Sequence, residues 1–184
     1  VRDQNRVKQV CETFSVETIY HTAAYKHVPL VEENPFEAVS NNIFGTLNCA
    51  LAAIKCKVET FVLISTDKAV RPTNIMGATK SIAELYCQNV KSKNTDVISV
   101  RFGNVLGSSG SVIPKFQNQI DNDKNITVTH KDITRYFMLV DEACKLVLQS
   151  AGIGKNGEIL ILDMGNPIKI SNLAQKMIDL SGKN

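Results

Sequence analysis

The strongest constraint on the fold is an alternation of short apolar runs with longer segments of helical periodicity. The runs are rich in Val and Ile and cover residues 17–21, 59–64, 96–101, 126–128 and 158–163. Apolar strands separated by helices are typical of parallel sheets, because parallel neighbours need a crossover connection. The first three runs are apolar on both faces, as in a sheet covered by helices on two sides. The sequence therefore predicts an α/β fold with a doubly wound parallel sheet.

Residues that favour helix ends mark the intervening helices. Asn34, Pro35 and Glu37 have the spacing of a capping box, which predicts a helix from residue 35 towards residue 57. Polar caps precede other periodic segments, and a glycine ends the last of them. These signals are Thr73 and Asn74 before a helix to about residue 90, Asp141 before a third helix, and Ser171 with Gly182 around the last one.

The pattern changes near Gly107, where strands become short and polar connections lengthen. This change predicts a main sheet in residues 1–106 and a smaller lobe in residues 107–184, with some segments of the second part returning to the main sheet. Ligands bind at the carboxyl ends of parallel strands, often at a domain junction. We therefore expect functional residues directly after strands.

Composition excludes several classes of protein. A hydrophobic content of 43% can form one sizeable core, and 21% charged residues argue against disorder. The net charge of +3 is spread without a basic run, so no nucleic-acid partner is indicated. Five scattered cysteines and three histidines show no metal spacing, and the longest aliphatic run, residues 61–64, is far too short to span a bilayer. We expect a cytoplasmic chain with reduced thiols and no metal.

Two glycine patterns resemble phosphate-binding loops but lie in the wrong context. Residues 152–157 match G-x-G-x-x-G, yet they follow a predicted helix and precede a strand. A dinucleotide loop must instead follow a strand and open a helix. Gly103, Gly107 and Gly110 also lack this placement. We predict that neither pattern binds phosphate and that residues 152–157 form a turn at a helix end.

A more informative cluster of polar residues surrounds the end of the second apolar run. Residues 65–68, Ser-Thr-Asp-Lys, follow that run directly, which predicts that they lie at the ligand-binding edge of the sheet. Met76 and Lys80 are four residues apart on the next predicted helix and so share one face. A hydroxyl, a carboxylate and two amines can then converge on one small volume. A solvated loop followed by an ordinary surface lysine has the same spacing, so spacing alone leaves both interpretations open.

A family resemblance rests on motifs distributed over nearly the whole chain. The central motif is Ser-Thr-Asp-Lys-Ala-x-x-Pro-x-Asn at residues 65–74, followed by Gly-Ala-Thr-Lys at residues 77–80. Supporting motifs occupy residues 23–29, 34–35, 42–46, 101–105, 110–114, 133–138 and 162–165. Together they resemble the polysaccharide-biosynthesis UDP-N-acetylglucosamine 4,6-dehydratases, a branch of the extended short-chain dehydrogenase/reductases. The resemblance implies a Rossmann-like fold that lacks its first βαβ portion, with a small C-terminal lobe that binds the UDP-sugar.

The resemblance also implies a reaction. In such dehydratases a tightly bound NAD or NADP takes hydride from C4 of the sugar, water leaves across C5 and C6, and the hydride returns to C6. The C4 ketone acidifies the C5 proton, so the site needs a base at C5 and an acid at the departing 6-hydroxyl. Asp67 matches the acid and Lys68 the base, with Thr66 beside them. An ion pair between Asp67 and Lys68 that only shapes the loop is the competing interpretation.

One position departs from the wider superfamily. Most relatives have Tyr-x-x-x-Lys, whereas this chain has Met76 and Lys80. A thioether carries no proton and accepts hydrogen bonds weakly, so Met76 cannot act as the base at the 4-hydroxyl. Methionine here resembles the membrane-associated, configuration-retaining group of the family. We expect Asp67, with Thr66 and a water molecule, to handle that proton, and Tyr25 is a weaker candidate.

The resemblance further implies two sets of binding residues. Lys80 is expected to hydrogen-bond the nicotinamide ribose of NAD or NADP. The other expected cofactor contacts are Asp3 near the adenine, Ala23, Ala24, Lys26, Asn42 and Ser65. The expected contacts to UDP-N-acetylglucosamine are Lys26, Asn104, Ser111, Val112, Lys115, Thr129 and Arg135.

The resemblance also bears on the parent protein. The glycine-rich loop of this family precedes the residue that matches Val1, and the family continues beyond Asn184, so we expect a piece of a longer protein that turns over poorly by itself. We expect the parent to be a homo-oligomer with a tether to the inner membrane. Two other functions remain open: a nucleotide-sugar epimerase or oxidoreductase, and a non-catalytic nucleotide-binding fragment.

Overall fold

The structure is a computed structural model that describes residues 1–108 and 110–182. Helices and strands alternate along most of the chain, as the apolar pattern predicts. The α-helices are α1 Gln4–Thr13, α2 Val28–Glu33, α3 Pro35–Ala38, α4 Gly45–Lys55, α5 Ile75–Asn89, α6 Val112–Asp121, α7 Val140–Ile153 and α8 Ile170–Ser181. The strands are β1 Thr18–His21, β2 Thr60–Ile64, β3 Asp96–Arg101, β4 Asn104–Val105, β5 Thr134–Arg135, β6 Phe137–Met138, β7 Ile159–Ile161 and β8 Ile168–Lys169.

The main sheet is parallel and has the strand order β1-β2-β3-β7. Phe61 of β2 lies opposite Ile19 of β1 and Val97 of β3, and Val100 of β3 lies opposite Leu160 of β7. The carboxyl ends of all four strands therefore share one edge. This arrangement confirms the predicted α/β class and its parallel sheet.

Helices cover both faces of this sheet. On one face, Phe61 and Leu63 of β2 pack in a buried cluster with Cys11 of α1, Ala50 of α4 and Ala83 of α5. On the other face, a β-carbon added at Gly154, just after α7, would lie 2.8 Å from Ile98 Cδ1. The Tyr20 hydroxyl of β1 also reaches the backbone oxygen of Leu148 on α7 at 3.5 Å. The sheet is doubly wound, which explains why β2 and β3 are apolar on both sides.

The chain divides into two compact units. The first comprises Val1–Phe102 and Lys145–Leu162 and contains the main sheet. The second comprises Gly103–Cys144 and Asp163–Asn184. In the second unit β4 pairs with β6 and β5 pairs with β8, and Phe116, Ile170 and Ala174 form its buried cluster.

Several local predictions were wrong for identifiable reasons. Residues 126–128 form no strand, because Ile126 and Val128 pack against the cluster around Phe116 without backbone pairing. Asn34 does not cap α3, because its side-chain amide donates to the Leu30 oxygen at 2.9 Å. The predicted capping partner, Glu37, forms an ion pair with Arg2 instead.

The helix predicted for residues 35–57 is interrupted by a π-helix over Val39–Phe44. Propensity alone does not indicate this segment, because the extra residue in the turn is held by tertiary contacts. At the other predicted starts, α7 begins at Val140 with Asp141 in its first turn, and Ser171 donates to the Lys131 oxygen rather than capping α8.

Other end signals were confirmed. The Asn74 side chain accepts a hydrogen bond of 2.8 Å from Gly77 N at the start of α5. Gly182 ends α8 in the left-handed conformation with φ 67°, which glycine adopts without a steric penalty. Gly152 and Ile153 end α7, and residues 154–158 join it to β7, as predicted for a turn at a helix end. Within the described ranges, none of the helices combines the length and apolarity that a transmembrane span requires.

Candidate active site

The loop that follows β2 is built as a continuation of the main sheet. Ser65 N donates to the Val100 oxygen at 2.8 Å, and Asp67 N donates to the Phe102 oxygen at 3.1 Å. These bonds extend the β2–β3 ladder past the end of β2. A short 3₁₀ turn, Asp67–Ala69, then presents the polar side chains at the carboxyl edge of the sheet.

Two polar side chains of this loop donate hydrogen bonds to one carboxylate oxygen of a third. Asp67 Oδ1 accepts a hydrogen bond from Thr66 Oγ1 at 3.0 Å and another from Lys68 Nζ at 3.0 Å. The side chains of Asp67 and Lys68 are 27% and 29% exposed, so a ligand can reach both. The structure thus joins Thr66, Asp67 and Lys68, as the sequence predicts, into one hydrogen-bonded group.

Gly77 allows helix α5 to approach this loop closely. A β-carbon added at Gly77 would lie 2.3 Å from the Lys68 backbone oxygen and 3.2 Å from Pro72 Cβ. Real β-carbons do not come this close to a carbonyl, so any side chain here displaces the loop or the helix. Gly77 was not singled out as functional from the sequence, although it lies inside the Gly-Ala-Thr-Lys motif that follows Met76.

Met76 and Lys80 have different environments on α5. Met76 is 5% exposed and packs with Val31 and Ala38, so its thioether lies in an apolar cluster. Lys80 is 6% exposed and, within the described part of the chain, its amine forms neither a hydrogen bond nor an ion pair. Burial lowers the pKa of Lys80 to about 8, an effect that Glu84 opposes.

An ion pair near Lys80 was missed by sequence reasoning. Glu84 is 1% exposed, and its two carboxylate oxygens accept hydrogen bonds from Arg101 Nε at 2.9 Å and Nη2 at 2.6 Å. The pair ties α5 to the end of β3. The pattern of Lys80 and Glu84 on one helix face was visible in the sequence, but the partner from another strand was not.

Asn42, in the π-helix, is the centre of a buried hydrogen-bond network. Its side-chain NH₂ donates to the backbone oxygen of Tyr25 and to Thr79 Oγ1, both at 3.0 Å. Its Oδ1 accepts from Tyr25 N at 2.8 Å. Both amide hydrogens are therefore used within the chain, and Asn42 fixes the loop after β1. Thr46 Oγ1 donates its one proton to the backbone oxygen of Asn42 at 2.7 Å. It must therefore accept a hydrogen bond from Nε2 of His21, 3.0 Å away.

His21 gives a prediction about acid stability. Burial, together with the nearby Lys80 charge, lowers the pKa of His21 to about 4. The unfolded chain therefore binds this proton first as pH falls, and the free energy of unfolding decreases between pH 6.5 and about pH 4, by about 3 kcal/mol in all. Above that window the contribution is constant. Urea unfolding at both ends of the window measures the loss.

The control for this prediction is His21→Gln, which keeps a hydrogen-bond donor for Thr46 but does not titrate. We expect the variant to lose about 3 kcal/mol less than the wild type over the same pH interval. Equal losses in the two proteins would show that His21 is not responsible.

The residues predicted to contact a cofactor differ in their burial and in their hydrogen bonds. Ser65 is 5% exposed, and its buried Oγ has no hydrogen-bond partner among the described residues. Ala24 and Lys26 line a cavity of about 480 Å³ beside β1, and Ala23 lies half-buried next to them. Asp3 is exposed and caps α1 by accepting from Arg6 N at 3.0 Å. An unpaired buried hydroxyl at the carboxyl edge of the sheet fits a ligand with polar ribose groups.

The predicted UDP-sugar residues of the second unit line a single cavity. Its volume is about 280 Å³, and its wall contains a basic pair, a hydroxyl at the start of α6 and an apolar floor. Ser111 Oγ is buried without a hydrogen-bond partner among the described residues. The predicted residues in the wall are Asn104, Ser111, Val112, Lys115, Thr129 and Arg135. Phe116, Phe137 and Ile170 form the floor and were not predicted.

Solved structures define the class to which this arrangement belongs. The structure of Pen from Bacillus thuringiensis has a TM-score of 0.91 and 42% identity, with all of this chain and 58% of that chain covered. The dTDP-glucose 4,6-dehydratase DesIV from Streptomyces venezuelae, solved with NAD and TYD bound, has a TM-score of 0.90 at 20% identity. That comparison covers all of this chain and 62% of DesIV. The chain has the Rossmann-like fold of the extended short-chain dehydrogenase/reductases.

The family follows from the sequence comparison. Residues 1–184 match the family described as polysaccharide biosynthesis protein, and the chain belongs to it. It is 53% identical to the capsular polysaccharide biosynthesis protein CapD of Staphylococcus aureus, over 100% of this chain and 31% of CapD. It is 38% identical to a UDP-glucose 4-epimerase of Rickettsia canadensis, over 99% of this chain and 54% of that protein. The chain thus spans about a third to a half of the length of these relatives.

Proposed function

We propose that this chain is the catalytic part of a nucleotide-sugar 4,6-dehydratase that acts on UDP-N-acetylglucosamine. The observation that carries the proposal is the hydrogen-bonded pair of Asp67 and Lys68 at the carboxyl edge of the sheet. Elimination of water needs one group to remove the C5 proton and another to protonate the departing 6-hydroxyl. A single proton transfer along the 3.0 Å bond from Lys68 Nζ to Asp67 Oδ1 produces both of them, a neutral amine and a carboxylic acid.

Three features of the loop support this chemistry. Thr66 donates to the same Asp67 oxygen, so it fixes the orientation of the carboxylate. The bonds of Ser65 to Val100 in β3 and of Asp67 to Phe102, just after β3, hold the backbone in place before any ligand binds. The partial exposure of Asp67 and Lys68 leaves the pair accessible to a sugar. Met76, which is buried among apolar side chains, supports α5 behind the loop and needs no proton-transfer role.

We propose NAD or NADP as the cofactor of the same site. When bound, it would supply the redox chemistry at C4 and C6 that makes the C5 proton acidic. Ser65 and Lys80 would hold its ribose hydroxyls, because the buried Ser65 Oγ has no partner among the described residues and the largely buried Lys80 has no ion pair there. Ala24 and Lys26 would contribute through the cavity next to β1. Asn42 would act indirectly, because its amide already holds Tyr25.

The cavity of the second unit is proposed to bind the UDP group. Lys115 and Arg135 supply positive charge for a diphosphate, and the first residue of α6, Val112, lies in the wall of the cavity. Ser111 Oγ adds a buried hydroxyl without a partner among the described residues. The apolar floor around Phe116 and Phe137 suits a flat base.

A sugar 4-epimerase is the second candidate, because one relative with 38% identity is a UDP-glucose 4-epimerase. Epimerisation at C4 needs no acid at a departing 6-hydroxyl and no base at C5. The Asp67–Lys68 pair is therefore without a function in that reaction, and the dehydratase explains it.

The deciding experiment incubates the full-length protein that contains this chain with UDP-N-acetylglucosamine. We expect a 4-keto-6-deoxy product, detected by the loss of one water in mass spectrometry and by NMR, which also gives the configuration at C5. An epimerised sugar of unchanged mass would establish the second candidate and refute the first. Binding of the nucleotide sugar without any product would show a non-catalytic binding protein.

A further inference from the structure

Lys80 lies beside a carboxylate with which it does not pair. Lys80 and Glu84 are four residues apart on α5, a spacing that brings side chains together on a helix. Both are buried, at 6% and 1% exposure. Yet both Glu84 oxygens are engaged by Arg101, at 2.9 Å and 2.6 Å, and Lys80 has no ion pair in the described part of the chain.

The guanidinium of Arg101 is well suited to hold Glu84 away from Lys80. A bidentate arginine–carboxylate pair uses both oxygens in a fixed planar geometry, which a single ammonium group cannot reproduce. A buried carboxylate that loses its partner is strongly destabilised, and pairing with a cation within reach relieves this cost. On the face of α5 that carries Glu84, this cation is Lys80, one turn earlier.

Other charged groups near Lys80 do not compete for this role. His21 of β1 is neutral at neutral pH, because burial lowers its pKa to about 4. Cys87, one turn beyond Glu84, is also neutral, because burial raises its pKa to about 12. Of the described residues that act electrostatically on Lys80, Glu84 is thus the anionic one.

We propose that Arg101 is a positioning residue that holds Glu84 in a bidentate pair and so keeps the amine of Lys80 available to the ligand at the carboxyl edge of the sheet. The inference deepens the proposed function, on which the identity of that ligand rests. Arg101 touches neither substrate nor cofactor in this role. It acts through Glu84, and its loss is expected to let Glu84 capture Lys80.

The test measures the titration of Lys80 directly. The full-length protein is trace-labelled with acetic anhydride at a series of pH values, and acetylation of Lys80 is quantified by peptide mass spectrometry. The wild type is expected to show a midpoint near the pKa of about 8. In Arg101→Met the midpoint is expected to move upward, because Glu84, no longer held by arginine, then stabilises the charged amine more strongly. In Arg101→Met with Glu84→Gln it is expected to return to the wild-type value or fall below it, because the anion that raises the pKa of Lys80 is then absent.

Two further variants keep the test decisive. Arg101→Lys preserves the charge but engages only one Glu84 oxygen, so a smaller upward shift is expected even if Arg101→Met does not fold. Arg6→Met removes an exposed guanidinium on α1 and is expected to leave the midpoint unchanged. Circular dichroism confirms that each labelled variant is folded.

The proposal is overturned if folded Arg101→Met or Arg101→Lys titrates like the wild type, or if the upward shift persists after Glu84→Gln. A role of the ion pair in stability alone predicts the first of these results. The labelling requires no turnover, so a wild-type protein that fails to dehydrate the sugar refutes the proposed function without affecting this measurement.

Discussion

Lys68→Met is expected to slow strongly the exchange of the C5 proton in the 4-keto-6-deoxy product. The ketone of this product already acidifies C5, so wild-type protein in D₂O should exchange the proton with a base alone. If Lys68 is that base, its removal slows exchange about 100- to 10,000-fold, the usual contribution of general base catalysis. Proton NMR of the UDP-sugar measures the rate as the C5 signal disappears.

The same assay separates the roles of the two residues. Asp67→Asn should slow overall dehydration about 100- to 10,000-fold. However, it should slow C5 exchange less than it slows dehydration, because the Lys68 amine remains and exchange involves no departing 6-hydroxyl. Lys68→Arg is the sharpest control, because arginine keeps the positive charge but is not deprotonated in proteins. An active Lys68→Arg enzyme would show that the pair only shapes the loop. Lys55→Met, on the exposed end of α4, should behave as the wild type.

Gly77→Ala is expected to reduce dehydration about 100-fold or more while the protein stays folded. The added β-carbon would lie 2.3 Å from the Lys68 backbone oxygen, so the loop or α5 must move. A displacement of about 1 Å in a catalytic group is enough for a loss of this size. Steady-state dehydration and C5 exchange should fall together, because the displaced group is Lys68.

Gly152→Ala is the matched control for this substitution. Gly152 also lies in a helix, α7, but a β-carbon there meets nothing within 4 Å. Alanine should stabilise that helix by up to about 1 kcal/mol and leave activity unchanged. If Gly77→Ala retained full activity, the close approach of α5 would not be what positions Lys68.

The sequence was most informative where one local signal decides the structure. The run at residues 96–101 became β3 with the same bounds, and Asn74 caps α5 as predicted. It failed where tertiary partners override a local preference. Asn34 is a residue type that often caps helices, but its side-chain amide donates a hydrogen bond to the Leu30 backbone oxygen. Its expected partner, Glu37, forms an ion pair with Arg2.

The same division holds for the candidate site. The order Thr66-Asp67-Lys68 after an apolar strand was enough to expect these side chains together, because one short loop carries all three. The ion pair of Glu84 and Arg101 was not predictable, since the partners are seventeen positions apart and lie on a helix and a strand. Nor could the sequence show that the amide of Asn42 is already used on Tyr25 and Thr79.

The backbone bonds of Ser65 and Asp67 to β3 have a mechanical consequence. A loop that is hydrogen-bonded as an extension of the sheet shares the stiffness of the sheet, so the proposed binding of a sugar there should cost little conformational entropy. Because of the same hydrogen bonds, a structural change in the sheet should also displace the loop. A change in the packing of Val100, whose oxygen holds Ser65, should alter catalysis without any contact between that side chain and the ligand.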